Sequence, residues 1–326
     1  MQATRRAFAI LVAVSLTACA TAQTSQTAPT QARAEHFIIA TPAQAAPIFT
    51  AGDEFMAVVT PADISIRTRS AEGTRADLVR TYAGAFEPWT EAETARLEAM
   101  LSRRGAQLQT IARWLPETVL LVKSNGAADT SLPHTRGNAI NMGQHLPDSD
   151  EELDGLFFHE LFHVLSRRNA ARHDETYALI GFIPCSVELP QSVRDQTVTN
   201  PDAPLLRWAT SPDANGRSIV PVLFGNPPRW DPAQPQFNRY FNLRFLQATR
   251  NAAGQCAVTI ENGQPVDIPG DQAVPAIHAV AGANTNYVLH AEELLADNFS
   301  QLMMGRTDAP NPEVQARLAT FLGIAP

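Results

Sequence analysis

Leu156-Phe157-Phe158-His159-Glu160-Leu161-Phe162-His163-Val164-Leu165 is the stretch from which the rest of the chain is best read. Seven of its ten residues are apolar, so a helix built from it is buried on almost every side. Two imidazoles and a carboxylate inside such a helix cost free energy unless partners such as a metal ion satisfy them. His159 and His163 are four residues apart and share one helical face, where their rings can converge on a single Zn2+. Glu160 lies about 100° around the helix, close enough to hold a water on that ion without taking a coordination place. A pair of hydrogen-bonded core histidines is the alternative. Ser149 and Glu152 have capping-box spacing and should start the helix.

HExxH on a buried helix resembles the zincin metallopeptidases, and the flanking residues narrow the branch. The metzincin extension is missing: Ser166 stands at its glycine position and Asn169 at its last histidine. Gluzincins take a third ligand from a glutamate on a later helix, followed four residues on by an aspartate. His290-Ala291-Glu292-Glu293-Leu294-Leu295-Ala296-Asp297-Asn298-Phe299 supplies Glu293 and Asp297 at that spacing. Alone, this segment would read as an exposed acidic stripe. The resemblance implies zinc held by His159, His163 and Glu293, with Asp297 orienting His159. It also implies peptide hydrolysis by a metal-activated water, with Glu160 as general base and no acyl-enzyme. Glu292 points about 100° away from Glu293 and shares its face with Ala296, so it is expected to be a bystander.

Zincins also pair substrate backbone with an edge strand, and Gly137-Asn138-Ala139-Ile140-Asn141 resembles it, with Asn138 and Ala139 as substrate contacts. An ordinary solvent-facing strand is the other reading. An oxyanion needs a donor, usually Tyr or His in related enzymes; the candidates are His290, Tyr287, Tyr177 and Tyr240. His290, three before Glu293, shares its face and is taken as catalytic, with a helix-capping role left open. About 129 residues lie between His163 and Glu293, far more than in thermolysin-like members. The resemblance therefore extends to the superfamily, gluzincin-like, and to no named peptidase family.

The N-terminus sets the expected compartment. Arg5 and Arg6, the apolar run Ala7 to Leu16 and the ending Leu16-Thr17-Ala18-Cys19 have the parts of a secretory signal over residues 1–18. The ending resembles the bacterial lipobox, which implies cleavage before Cys19 and its lipidation. Ala20 next to Cys19 then favours the outer membrane, facing the periplasm. The following residues to 35 are Ala-, Thr- and Gln-rich and read as a flexible tether. With Cys19 used for lipid, Cys185 and Cys256 remain, and in an oxidising compartment they are expected to form a disulfide; two buried free cysteines are the alternative.

The folded part, 36–326, is expected to be α+β. Its composition, 44% hydrophobic and 18% charged, supports a real core, and a net charge of −8 argues against nucleic-acid binding. Phe37 to Ile39, Phe55 to Val59 and Ile64 to Thr68 suggest a small N-terminal sheet. Thr90 and Glu93 should cap a helix running towards Pro116. From about 184 to 275 prolines crowd in, the helical period is lost, and strand-like runs precede an Asn262-Gly263 hairpin turn, as in a β-and-loop insertion ahead of the third-ligand helix. Three functions fit: a membrane-tethered zinc peptidase acting on peptides or proteins, a metal-dependent hydrolase acting on a non-peptide amide, or a non-catalytic, zinc-stabilised envelope lipoprotein that binds a partner or cell-wall component. Oligomeric state is not readable.

Overall fold

The computed structural model describes residues 36–127, 129, 132–252 and 254–324; the expected signal, Cys19 and the tether lie outside the described residues. The fold is α+β, as expected, and is organised around β3 (Val119–Ser124). β1 (Phe37–Ile39) and β5 (Ala139–Asn141) flank β3 in parallel, and β4 (His134–Arg136) runs antiparallel along β5 at the sheet edge. β2 (Phe86–Glu87) adds an antiparallel pair against Lys123 and Ser124. Alternate residues of β3 point to opposite faces, so Val119 and Leu121 enter the larger core while Leu120 and Val122 enter a smaller one.

The smaller core is covered by α1 (Pro42–Thr50), α2 (Glu54–Val58) and α4 (Arg75–Ala83), with α3 (Pro61–Thr68) beside them. Two of the three segments expected as N-terminal strands are thus helical. Asp53 accepts from the Met56 amide at 2.9 Å, and Thr60 and Asp63 form a capping box with Pro61 at the first helical position. Local capping chemistry outweighed the β-branched and aromatic composition of Phe55–Val59 and Ile64–Thr68.

On the other face lie α5 (Glu91–Arg103), α6 (Gly105–Ile111) and the HExxH helix α7 (Asp150–Arg168). Thr90 and Ser149 cap α5 and α7 as expected, but the helix after Thr90 breaks at Arg104 instead of running to Pro116. α7 buries Leu153, Phe157, Phe158, Leu161 and Phe162 completely, with acidic residues in its first turn and Arg167 and Arg168 in its last. After α8 (His173–Ala178) the chain enters the strand-rich stretch, where β6 (Phe182–Pro184) pairs with β7 (Trp208–Thr210), and α9 (Gln191–Arg194) is a single turn between them.

β8 (Ser218–Gly225) and β9 (Phe241–Arg250) form a long antiparallel pair, extended by β10 (Cys256–Val258) and β13 (Asp267–Ile268). β11 (Ile260–Glu261) and β12 (Gln264–Pro265) meet through Asn262 and Gly263, at φ 51° and 76°, the left-handed turn read from the sequence. Cys185 and Cys256 are disulfide-bonded, 71 residues apart, within a separate apolar cluster that includes Val220, Val222 and Leu246. Several helices were not foreseen, among them α1, α4, α8 and α10 (Gly270–Ala281); the last tolerates an internal Pro275 and buries Ala273 and Ile277 in the main core. α11 (Ala291–Met303) and α12 (Pro312–Leu322) complete the fold, with α11 packed along α7.

Candidate metal centre

Helix packing turns two distant sequence motifs into one site. α7 presents His159 and His163 with ring centroids 4.9 Å apart, and α11 lays Glu293 across them. Glu293 Oε2 is 3.1 Å from His159 Nε2 and 3.5 Å from His163 Nε2. The other ring nitrogens are each held by a carboxylate: His159 Nδ1 donates to Asp297 Oδ1 at 2.7 Å, and His163 Nδ1 to Glu292 Oε1 at 3.0 Å. With Nδ1 as the donor, each neutral imidazole turns Nε2 as an acceptor towards a carboxylate oxygen, whereas a doubly protonated ring donates to it. Three buried acceptors turned on one another repel unless positive charge lies among them, carried by protons or by a cation. His159, His163 and Glu293 therefore have the donor chemistry to hold a metal ion, with one ligand atom each and all three within 4.8 Å of one another.

The electrostatics favour positive charge at this point, whether carried by protons or by a cation. Burial opposes charge on His159, but Asp297 and Glu293 outweigh it and push its pKa up to about 10. His163 is likewise raised against burial, by Asp202, Glu293 and Glu292. Burial would raise Glu293, yet the charges of His163 and His159 and their hydrogen bonds hold it well below the usual carboxylate range. Glu160 goes the opposite way, pushed up to about 8 first by burial and then by the charge of Asp202. Only 3% exposed, it leaves Oε2 without a hydrogen-bond partner among the described residues.

Glu292 is a correction. It is 2% exposed and, besides His163, its Oε2 accepts from Ser166 Oγ and Tyr177 Oη, both at 2.7 Å. The position expected to be a bystander is the counterpart of Asp297, one carboxylate behind each histidine. Helical geometry did separate Glu292 from Glu293, but the face it was turned to is occupied by α7 and α8. Asp297 in turn accepts from Thr285 Oγ1 through its second oxygen.

His290 is a second correction. Its Nδ1 accepts from the Glu292 amide at 3.0 Å, making it the N-cap of α11, and its ring packs against Tyr177 and Trp208. It lines a separate cavity of about 440 Å³ and does not line the one beside Glu160. Of the other donor candidates, Tyr177 is committed to Glu292 and Tyr240 Oη to the Asp231 backbone. Tyr287 remains beside the site, with its ring centroid 6.0 Å from that of His159.

Asn138 and Ala139 are a third correction. β5 is paired on both sides, Ala139 is fully buried, and Asn138 Nδ2 donates to Thr118 O, so neither is open to a substrate backbone. The sheet edge is β4, and there the Thr135 amide already donates to Asp202 Oδ1 at 2.7 Å. Asp202 and Asn200, whose amide donates to Glu293 Oε1, belong to a loop that crosses the site from the strand-rich stretch. Nothing local in Thr199-Asn200-Pro201-Asp202 except turn-forming residues marks them, because their neighbours in space come from α7, α11 and β4.

His159, Glu160, Asn200, Asp202 and Tyr287 border a cavity of about 740 Å³ that is also lined by Leu223, Phe241 and Leu243 of β8 and β9. Comparison with protein-family models, curated proteins and solved structures gave no match to the chain.

Proposed function

We propose that the chain is a zinc-dependent peptidase, gluzincin-like in its ligand set and tethered to the bacterial cell envelope through lipidated Cys19. One observation carries the catalytic reading: two histidines, each oriented by a carboxylate, turn their Nε2 atoms onto a third carboxylate beside the buried Glu160, whose Oε2 has no hydrogen-bond partner among the described residues. The tether rests on the lipobox resemblance, and no helix among the described residues is long and apolar enough to cross a membrane.

His159, His163 and Glu293 would hold the ion, which when bound polarises a scissile carbonyl and acidifies water. Glu160 takes the proton of the attacking water and delivers it to the leaving amine; its burial raises its proton affinity towards that of a base working near neutral pH. Tyr287 is the nearest phenol able to donate to the developing oxyanion. Asp297 and Glu292 fix both imidazoles so that Nε2 faces inward, and Asn200 holds Glu293 through its other oxygen. A structural zinc site needs ligands but has no use for Glu160, and this favours the enzyme over the binding lipoprotein.

Metal analysis of wild type and Glu160→Gln, beside cleavage of a broad peptide library, tests the reading. Zinc should be present in both, with cleavage lost by about 100-fold or more in the variant. Zinc with no cleavage by wild type would leave the non-catalytic lipoprotein standing.

A further inference from the structure

The loop that crosses the site brings a further carboxylate to it. One oxygen of Asp202 forms a set with one ligand atom each of Glu160 and His163, all within 4.8 Å of one another. His163 is common to this set and to the one with His159 and Glu293, so an ion held at that histidine has Asp202 among its neighbours. Asp202 is half-buried and lines the same cavity as His159 and Glu160. Two carboxylates so close repel each other unless a proton or a cation relieves them. A proton on Glu160 Oε2 would have no acceptor, because that buried atom has no hydrogen-bond partner among the described residues. A cation needs no such acceptor and is met by the oxygens and the imidazole together.

The loop is pinned along its length, so the carboxylate cannot simply swing away. Thr199 N–H and Oγ1 donate to Asp63 Oδ1 and Oδ2 at 2.9 and 2.7 Å, and Thr199 O accepts from Arg67 at 2.6 Å. Asp63 and Arg67 belong to α3 and are both buried. Pro201 O accepts from Arg167 of α7 at 3.4 Å. At Asp202 itself, Oδ1 accepts from Thr135 N–H at 2.7 Å and from Thr135 Oγ1 at 2.6 Å. Both bonds use one oxygen and leave Oδ2 for a further partner.

Three protein ligands leave a zinc site with an open position, and a fourth closes it. We propose that Asp202 is a fourth protein ligand, which closes the metal centre in the resting chain and is displaced when a substrate enters. Displacement by substrate rests on the peptidase reading; ligation by Asp202 does not.

Zinc affinity measured by chelator competition, and titration of the cobalt-loaded protein with imidazole followed through its visible bands, test ligation without any cleavage step. Asp202→Asn keeps an oxygen for Thr135, so the loop should stay in place while the charged ligand is lost. The variant should bind zinc about tenfold or more weakly. It should bind imidazole, a neutral donor for the vacated position, about tenfold more tightly than wild type does. A carboxylate acting only through its charge would weaken zinc and leave the neutral imidazole unaffected. Equal imidazole affinity in the two proteins, or unchanged zinc affinity, therefore overturns the proposal. Should Asp202→Asn fail to fold, Asp202→Glu, which keeps the charge but moves the oxygens by one methylene, should show both changes, and their absence overturns the proposal equally. Peptide kinetics at saturating zinc then address the reading beneath it: KM should fall about two- to tenfold in Asp202→Asn, since no carboxylate has to be displaced. A KM that stays or rises overturns the resting closure. The imidazole difference without cleavage by either protein supports Asp202 as a ligand and sinks the peptidase.

Discussion

Two acidic residues outside the His159, His163 and Glu293 cluster decide how the histidines present themselves. Asp297 and Glu292 accept from the Nδ1 atoms of His159 and His163 and so turn each Nε2 towards Glu293. Glu293→Ala removes an oxygen common to both contacts and should abolish zinc binding in equilibrium dialysis. Asp297→Ala and Glu292→Ala should each weaken zinc affinity about 10- to 100-fold, through loss of ring orientation. The two variants should part in stability. Glu292→Ala strands the buried hydroxyls of Ser166 and Tyr177 and should cost a further 1–3 kcal/mol or so, seen as a lower urea midpoint. Asp297 is 28% exposed, and its partner Thr285 can turn to water, so its loss should leave the midpoint nearly unchanged.

Among the elements, the α7–α11 pair sets the geometry of the candidate centre, because each helix brings part of the His159, His163 and Glu293 cluster. Gly155 lies on this contact, where Ser300 Oγ donates to its carbonyl at 2.7 Å. A Cβ at Gly155 would meet that Oγ at 3.8 Å, an ordinary van der Waals distance. The glycine is thus not required by packing, and its helix penalty is uncompensated. Gly155→Ala should raise stability by about 0.5–1 kcal/mol with zinc content unchanged, measurable as a higher thermal midpoint. A drop in stability would mean that the two helices approach more closely than this spacing allows.

Across the whole molecule, the candidate metal ligands and the cavity wall belong to different parts of the chain. His159, His163 and Glu293 lie outside the loop closed by Cys185 and Cys256, whereas Asn200, Asp202, Leu223 and Leu243 lie inside it. The serine replacement of both cysteines should lower stability by about 2–4 kcal/mol. Zinc should remain bound under native conditions, while peptide cleavage falls more than metal content as the wall and the Asn200 loop loosen. Parallel loss of metal and cleavage would show that the two parts do not separate in this way.

The α+β class, the capping of α5 and α7, the left-handed turn at Asn262-Gly263 and the disulfide partners were legible because each depends on neighbouring residues or on a short inventory of cysteines. The pairing of His159 with His163 was legible for the same reason, since helical periodicity alone puts both on one face. Local signals also misled where two competed, as at Asp53 and Thr60-Pro61, where caps made helices of segments whose composition suggested strands. Tertiary structure alone decided what occupies each face. It set Glu292 behind His163, drew His290 away to cap a helix, buried Ala139 between two strands and brought Asn200, Asp202 and His134 to one cavity. The spacing of residues along a helix gives the direction of a side chain, but its partner comes from whichever distant segment packs there.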